Sequence, residues 1–205
     1  MPSPPRPPFA PALAFTLALV ACSPTSSPPA SSPTPPAVFA ETDFGRYQSA
    51  RLGFSLTLPD GHAWRIEDDR SAWMQATHAP TSSRLRIRAS IERSALSREG
   101  CLARARDDLP DLEDAIVIDD RVATLADEEA SVWIRAAIRP ADDGLEGLIV
   151  ASAVSLRRCL VLLYETRAQG DAAPEAIAER LALVADTVIP SLRFTDSTSV
   201  PRAPR

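Results

Sequence analysis

The chain has no lysine and no asparagine, and only seven glycines, three cysteines and two histidines among its 205 residues. Each shortage excludes something. All 22 basic residues are arginine, the mark of GC-rich coding, so abundant arginine is no sign of recognition by itself. So few glycines make a glycine-rich loop around a nucleotide phosphate implausible, and no G-x-S-x-G elbow, H-E-x-x-H helix or C-x-x-C pair is present. His62 and His78 stand beside turn residues, away from the clustered Cys/His spacing of a zinc site. No metal and no cofactor is expected. The net charge of −5 argues against nucleic acid, whose phosphates need a basic surface, and against a polybasic grip on anionic headgroups.

A membrane-length apolar span is missing from the N-terminal region as well. Ala12 to Ala21 carries no charge but is only ten residues long, against about 20 for a spanning helix. That length suits the apolar core of an export signal, and the run stops at a cysteine. Leu19-Val20-Ala21-Cys22 resembles the lipobox of bacterial lipoproteins. The resemblance implies cleavage before Cys22, a diacylglyceryl group on its sulfur and an acyl group on its nitrogen. Two or more acyl chains anchor stably where one binds marginally. Ordinary signal cleavage near Ala21, leaving Cys22 a free thiol, is the alternative. Ser23 stands where an aspartate would favour the inner membrane in enteric bacteria, which implies an outer-membrane location facing the periplasm.

The expected organisation follows. Residues 1–21 are a lipoprotein signal peptide, and 22–43 the lipidated cysteine with a Pro/Ser/Thr-rich linker. Residues 44–195 form a single α+β domain, and 196–205 a disordered tail. The linker has almost nothing to bury. At about 3.1 Å per residue it reaches some 50–60 Å, enough to lift a domain clear of a bilayer. With Cys22 lipidated, Cys101 and Cys159 remain as an even pair in an oxidising compartment, where such pairs are usually bridged. Two buried free thiols are the other possibility.

Within the domain, Phe54, Leu56 and Leu58 alternate with Ser55 and Thr57, and Pro59-Asp60-Gly61 is turn chemistry. Trp64 and Ile66 start a short strand, and Ala72 to Thr77 suggests another. Leu85, Ile87, Ala89 and Ile91 alternate with Arg84, Arg86, Arg88 and Ser90, a strand with one dry face and one solvated arginine face. Ser97 to Leu109 reads as a helix capped by Ser97, with Gly100 as a cost and Pro110 past its end.

Ile116 to Leu125 is a strand, and Ala130 to Ile138 alternates until Pro140. Leu148–Leu156 and Cys159–Thr166 are apolar enough for central strands covered on both faces, with Arg157-Arg158 as the hairpin between them. A closing helix runs from about Pro174 to Val188, with Ile177, Leu181, Val184 and Val188 on one face. The paired acids Asp68-Asp69, Asp107-Asp108, Asp119-Asp120, Glu128-Glu129 and Asp142-Asp143 read as turns and solvated faces. On a strand, adjacent side chains point to opposite sides.

This order predicts an α+β fold, an antiparallel sheet of about six to eight strands covered by two main helices. Gly53-Phe54-Ser55-Leu56 running to Leu58-Pro59, Trp64 beyond it, and Ser191-Leu192-Arg193-Phe194 after a helix resemble the PsbP/Mog1-like group, which includes DcrB-type lipoproteins. These are core and turn positions, so the resemblance implies a fold and no catalytic residue. Three functions remain in view. The first is a membrane-anchored, non-catalytic adapter that binds another envelope protein through a sheet edge or the arginine face. The second is a small-ligand carrier with a pocket between sheet and helix, lined by Trp64, Trp73 and Trp133. The third is a hydrolase using His62 or His78.

Overall fold

Where apolar and polar residues alternate, the chain forms strands, and the described residues hold ten of them in two antiparallel sheets. The structure, a computed structural model, describes residues 43–69, 71–125 and 130–195. Contacts divide the chain into Met1–Ser32, which lies outside the described residues, and Pro33–Arg205, to which everything below belongs. The signal peptide, Cys22, nearly all of the linker, Glu128-Glu129 and the C-terminal tail also lie outside the described residues.

The smaller sheet is ordered β1 (Phe44–Ser49), β2 (Phe54–Pro59), β10 (Arg193–Phe194). The larger contains β3 (Trp64–Glu67), β4 (Met74–His78), β5 (Ser83–Ile91), β6 (Ile116–Thr124), β7 (Ser131–Ala141), β8 (Gly144–Ser155) and β9 (Arg158–Ala168). Its order is β3-β4-β5-β9-β8-β7-β6, two meanders joined where β5 pairs β9. The α+β expectation is met in outline, but strands dominate and the first two form a sheet of their own. The break comes at Asp60, which adopts the left-handed conformation (φ 52°) ahead of a single 3-10 turn over Gly61–Ala63.

Helix α2 (Ala173–Leu183) carries Pro174 in its first turn and buries Ile177 and Leu181 on the large sheet. It widens into a π turn over Val184–Val188, with Ile189 N bonded to Val184 O at 3.0 Å. The smaller sheet covers the same face, so Phe54, Leu56 and Leu58 join Leu85, Ile87, Ile134, Leu160 and Leu162 in one core. Gly147 on β8 sets the depth of that contact. A Cβ there would lie 2.7 Å from Ile177 Cγ2 and 3.2 Å from Leu181, so the helix rests directly on the strand.

The opposite face of the sheet is covered by α1 (Arg98–Ala103) and the segment after it. Ser97 caps this helix, accepting from Gly100 N at 3.1 Å. The helix ends well short of Leu109, and only a 3-10 turn over Arg106–Asp108 follows. So short a helix depends on packing for its stability; Cys101 within it and Ala105 just after it are fully buried.

Two further expectations are corrected. Pro140 does not end β7, which pairs with β8 as far as Ala141. β6 pairs only to Ile138, so no β6 residue lies opposite the proline, where a missing N–H is tolerated. The β8–β9 turn is Leu156-Arg157, with Leu156 at φ 51°, and Arg158 already belongs to β9.

Candidate functional site

The candidate sites are placed by strand register, beginning with the one covalent link. Cys101 of α1 and Cys159 at the start of β9 form a disulfide, with Cα atoms 5.4 Å apart and a separation of 58 positions in sequence. It lies in a second apolar cluster with Ala105, Val150, Val161 and Leu163. Its role is structural.

The arginine face of β5 is less solvated than its alternation suggests. Arg86 and Arg88 are half-buried. Arg86 donates to Glu165 on β9 at 3.0 Å and lies over the Trp73 ring, 5.6 Å from its centroid. Arg88 reaches Asp108 at 3.3 Å, and Arg84 donates to Gln75. The positive charge is engaged within the domain.

The two histidines, far from any ligand spacing in sequence, meet at Asp60. His78 is buried, its Nδ1 2.7 Å from Thr81 Oγ1 and its Nε2 3.1 Å from Asp60 Oδ2. His62 Nδ1 lies 2.5 Å from Asp43 Oδ2 and 3.7 Å from Asp60 Oδ1. Ligand atoms of Asp43, Asp60 and His62 fall within 4.8 Å of one another, close enough to share a divalent cation. Their exposed contacts are equally those of a surface ion pair. Sequence reading missed the cluster because the β1–β2 register assembles it. A Cβ on Gly61 would sit 2.4 Å from Gly45 Cα, and that close approach draws the strand start and the turn together.

An open groove of about 980 Å³ lies at the β7–β8 hairpin end. Its buried acid is paired. Glu146, 5 % exposed, accepts from Arg139 at 2.7 Å and Arg167 at 3.0 Å. Burial alone would push this carboxyl up, but the two arginines outweigh it and hold it below the usual range.

The edge strand β6 differs from all of these. Ile116, Val117, Ile118 and Val122 are 72, 47, 49 and 60 % exposed, and among the described residues no strand pairs with its outer side. The ladder to β7 shifts register between Val117 and Asp119, leaving Ile118 without a cross-strand partner. Asp119 and Asp120 point to opposite faces, as expected for strand neighbours. Asp119 pairs with Arg121 at 3.0 Å, and Arg121 also reaches Asp186 beyond α2.

Asp120 accepts from Trp133 Nε1 at 2.7 Å and from Arg135 Nε at 2.9 Å. The Arg135 bond, then the Trp133 bond, holds its carboxyl below the ordinary value. Arg98 and Arg135 lie over the Trp133 ring, 5.6 and 5.1 Å from its centroid. A cleft of about 580 Å³ opens beside Val122, walled by Leu102 and Trp133. The three tryptophans do not converge. Trp64 belongs to the main core and donates to Pro59 O at 2.7 Å, whereas Trp73 and Trp133 edge the second cluster.

Fold and site together define a strand-dominated α+β domain whose large sheet ends in a long apolar edge. No family model matches the chain, and no curated protein matches it. Among solved structures it is similar to a crystal structure from Bacteroides thetaiotaomicron VPI-5482, at 11% identity and a TM-score of 0.44 over 75% of this chain. The chain spans 49% of that protein's length.

Proposed function

We propose that the protein is a lipoprotein of the cell envelope, anchored through Cys22 in the outer membrane and facing the periplasm. Its domain is a non-catalytic adapter of PsbP/Mog1-like type that docks another protein along the β6 edge. The exposed edge strand carries this proposal. An unpaired row of N–H and C=O groups is a template for strand addition, and proteins blunt such edges with short strands and charge. The other edge of the sheet obeys that rule, since β3 has four residues, of which Arg65 and Glu67 face solvent. β6 carries three mid-strand charges, Asp119, Asp120 and Arg121, and a register shift at Ile118, but it has nine residues, and four of them, Ile116, Val117, Ile118 and Val122, are apolar, branched and exposed.

A ligand carrier finds less support. Its pocket would lie between sheet and helix, where α2 rests on Gly147, and its tryptophans are split between two clusters. The docking proposal is tested with a photo-crosslinking residue at position 122 of the full chain in living cells, and a control at Arg65 on β3. A discrete protein adduct at 122 that is absent at 65 is expected. Equal adducts at both edges, or none at either, contradict it.

A further inference from the structure

We infer that the strand received by the β6 edge is β6 of a second copy, so that two large sheets join about a two-fold axis through Asp120. The inference rests on the docking proposal above and names its occupant. β6 reads Ile-Val-Ile-Asp-Asp-Arg-Val-Ala-Thr from Ile116 to Thr124. Antiparallel pairing about Asp120 sets Asp119 opposite the partner's Arg121 and Ile118 opposite the partner's Val122. A two-fold interface repeats each pair, so acid meets base twice and branched apolar meets branched apolar twice. Such cross-strand pairs are the ones that stabilise a sheet.

Neighbouring registers lose this match. A shift of one residue in one direction places Asp119 against Asp120 and Ile118 against Arg121. The opposite shift places Asp119 against Val122. Pairing about Arg121 sets the two Arg121 side chains against each other, and pairing about Asp119 sets Ile118 against Asp120. The Asp120 axis alone sets Asp119 against Arg121 and Ile118 against Val122 together, and it does so with Asp120 against its own copy.

Two features of the edge bear on that axis. Asp120 meets its own copy there, and like charges directly opposite are unfavourable. Each carboxylate is already held by Arg135 and Trp133, so the axis gathers two acids with two guanidiniums. Ile118 is the bulged residue of the β6–β7 ladder, where the strand bends and strict alternation breaks, so its contact with the partner's Val122 requires the second copy's strand to follow that bend.

The test uses two variants at exposed positions, Ile118→Lys and Val122→Glu, in the full chain purified in detergent, with mass read by sedimentation. Wild type is expected at twice the chain mass and each variant alone at the single-chain mass. An equimolar mixture of the two is expected to return to twice the mass, because Lys at 118 then faces Glu at 122 across one half of the axis. A monomeric wild type, variants that remain dimeric, or a mixture that stays monomeric each overturn self-pairing. The crosslink at position 122 separates this failure from that of the docking proposal. An adduct with a different protein removes self-pairing and leaves docking standing, whereas no adduct removes docking.

Discussion

Asp68, one of a pair that reads as surface acid, joins the two sheets. It follows β3 of the large sheet and accepts from Tyr47 Oη at 2.8 Å and Ser49 Oγ at 2.6 Å, both on β1 of the small one, and from Arg51 Nε at 2.9 Å. Burial alone would raise its carboxyl, but hydrogen bonds from Ser49, Tyr47 and Arg51 outweigh burial and lower it. The fold is therefore ionised here where the unfolded chain starts to take a proton. The contribution is full above the unfolded value of about 3.9 and is lost as pH falls through the lower folded value. His78 has the same sign at higher pH. Its burial, reinforced by the charge of Arg180 and opposed by Asp60, lowers its affinity for a proton below the ordinary value. The unfolded chain protonates first, near pH ~6.5, so stability also falls as pH drops through that region. Urea midpoints are expected to decline in two stages, below pH ~6.5 and again below ~4. His78→Gln should remove the first stage and Asp68→Asn should flatten the second. A midpoint constant between pH 7 and 5 would contradict the placement of His78.

At the scale of elements, α1 owes its position to the disulfide more than to its own length. Bridging Cys101 to Cys159 closes a loop of nearly sixty residues, for which chain entropy gives about 4 kcal/mol, and loss of such a bridge typically costs 2–5 kcal/mol. The double variant Cys101→Ser/Cys159→Ser should lower the melting temperature and speed hydrogen exchange across residues 97–109, with α2 little affected. An unchanged melting temperature would show that packing alone holds α1. The strands were largely legible because their cause is local. Leu85 with Ile87, and Val132, Ile134 and Ala136, alternate in sequence and are buried on one face. Helix α2 was legible through Pro174 and the spacing of Ile177, Leu181, Val184 and Val188.

What local pattern does not encode is which strands share a sheet. The β5–β9 register opposes Arg86 to Leu163 and Ile87 to Leu162, so the partners of the arginine stripe and of Asp60 depend on pairings between distant residues. The β6 edge is instructive. Ile116-Val117-Ile118 is a continuous apolar run within a strand, yet it is exposed. The signal for an edge lay in Asp119-Asp120-Arg121, since three charges in mid-strand are costly unless one side of the strand stays open.

At the scale of the whole molecule, the proposed tether and the proposed edge act together. No helix among the described residues is long and apolar enough to cross a membrane, and the proposed anchor is Cys22, outside them. A chain held at a bilayer by lipid through a proline-rich spacer meets its neighbours at raised effective concentration, which strengthens docking along the β6 edge beyond its level in dilute solution. Sheet, disulfide and edge would persist without the lipid, but the adapter's place in the envelope would not. The most direct measurement is therefore the mass of the N-terminal peptide of protein extracted from membranes of the producing cell. A peptide beginning at Cys22 and carrying a diacylglyceryl group on sulfur with an acyl group on nitrogen is predicted. A peptide with an unmodified Cys22 thiol, or an N-terminus at another residue, would contradict the anchor and the function proposed from it.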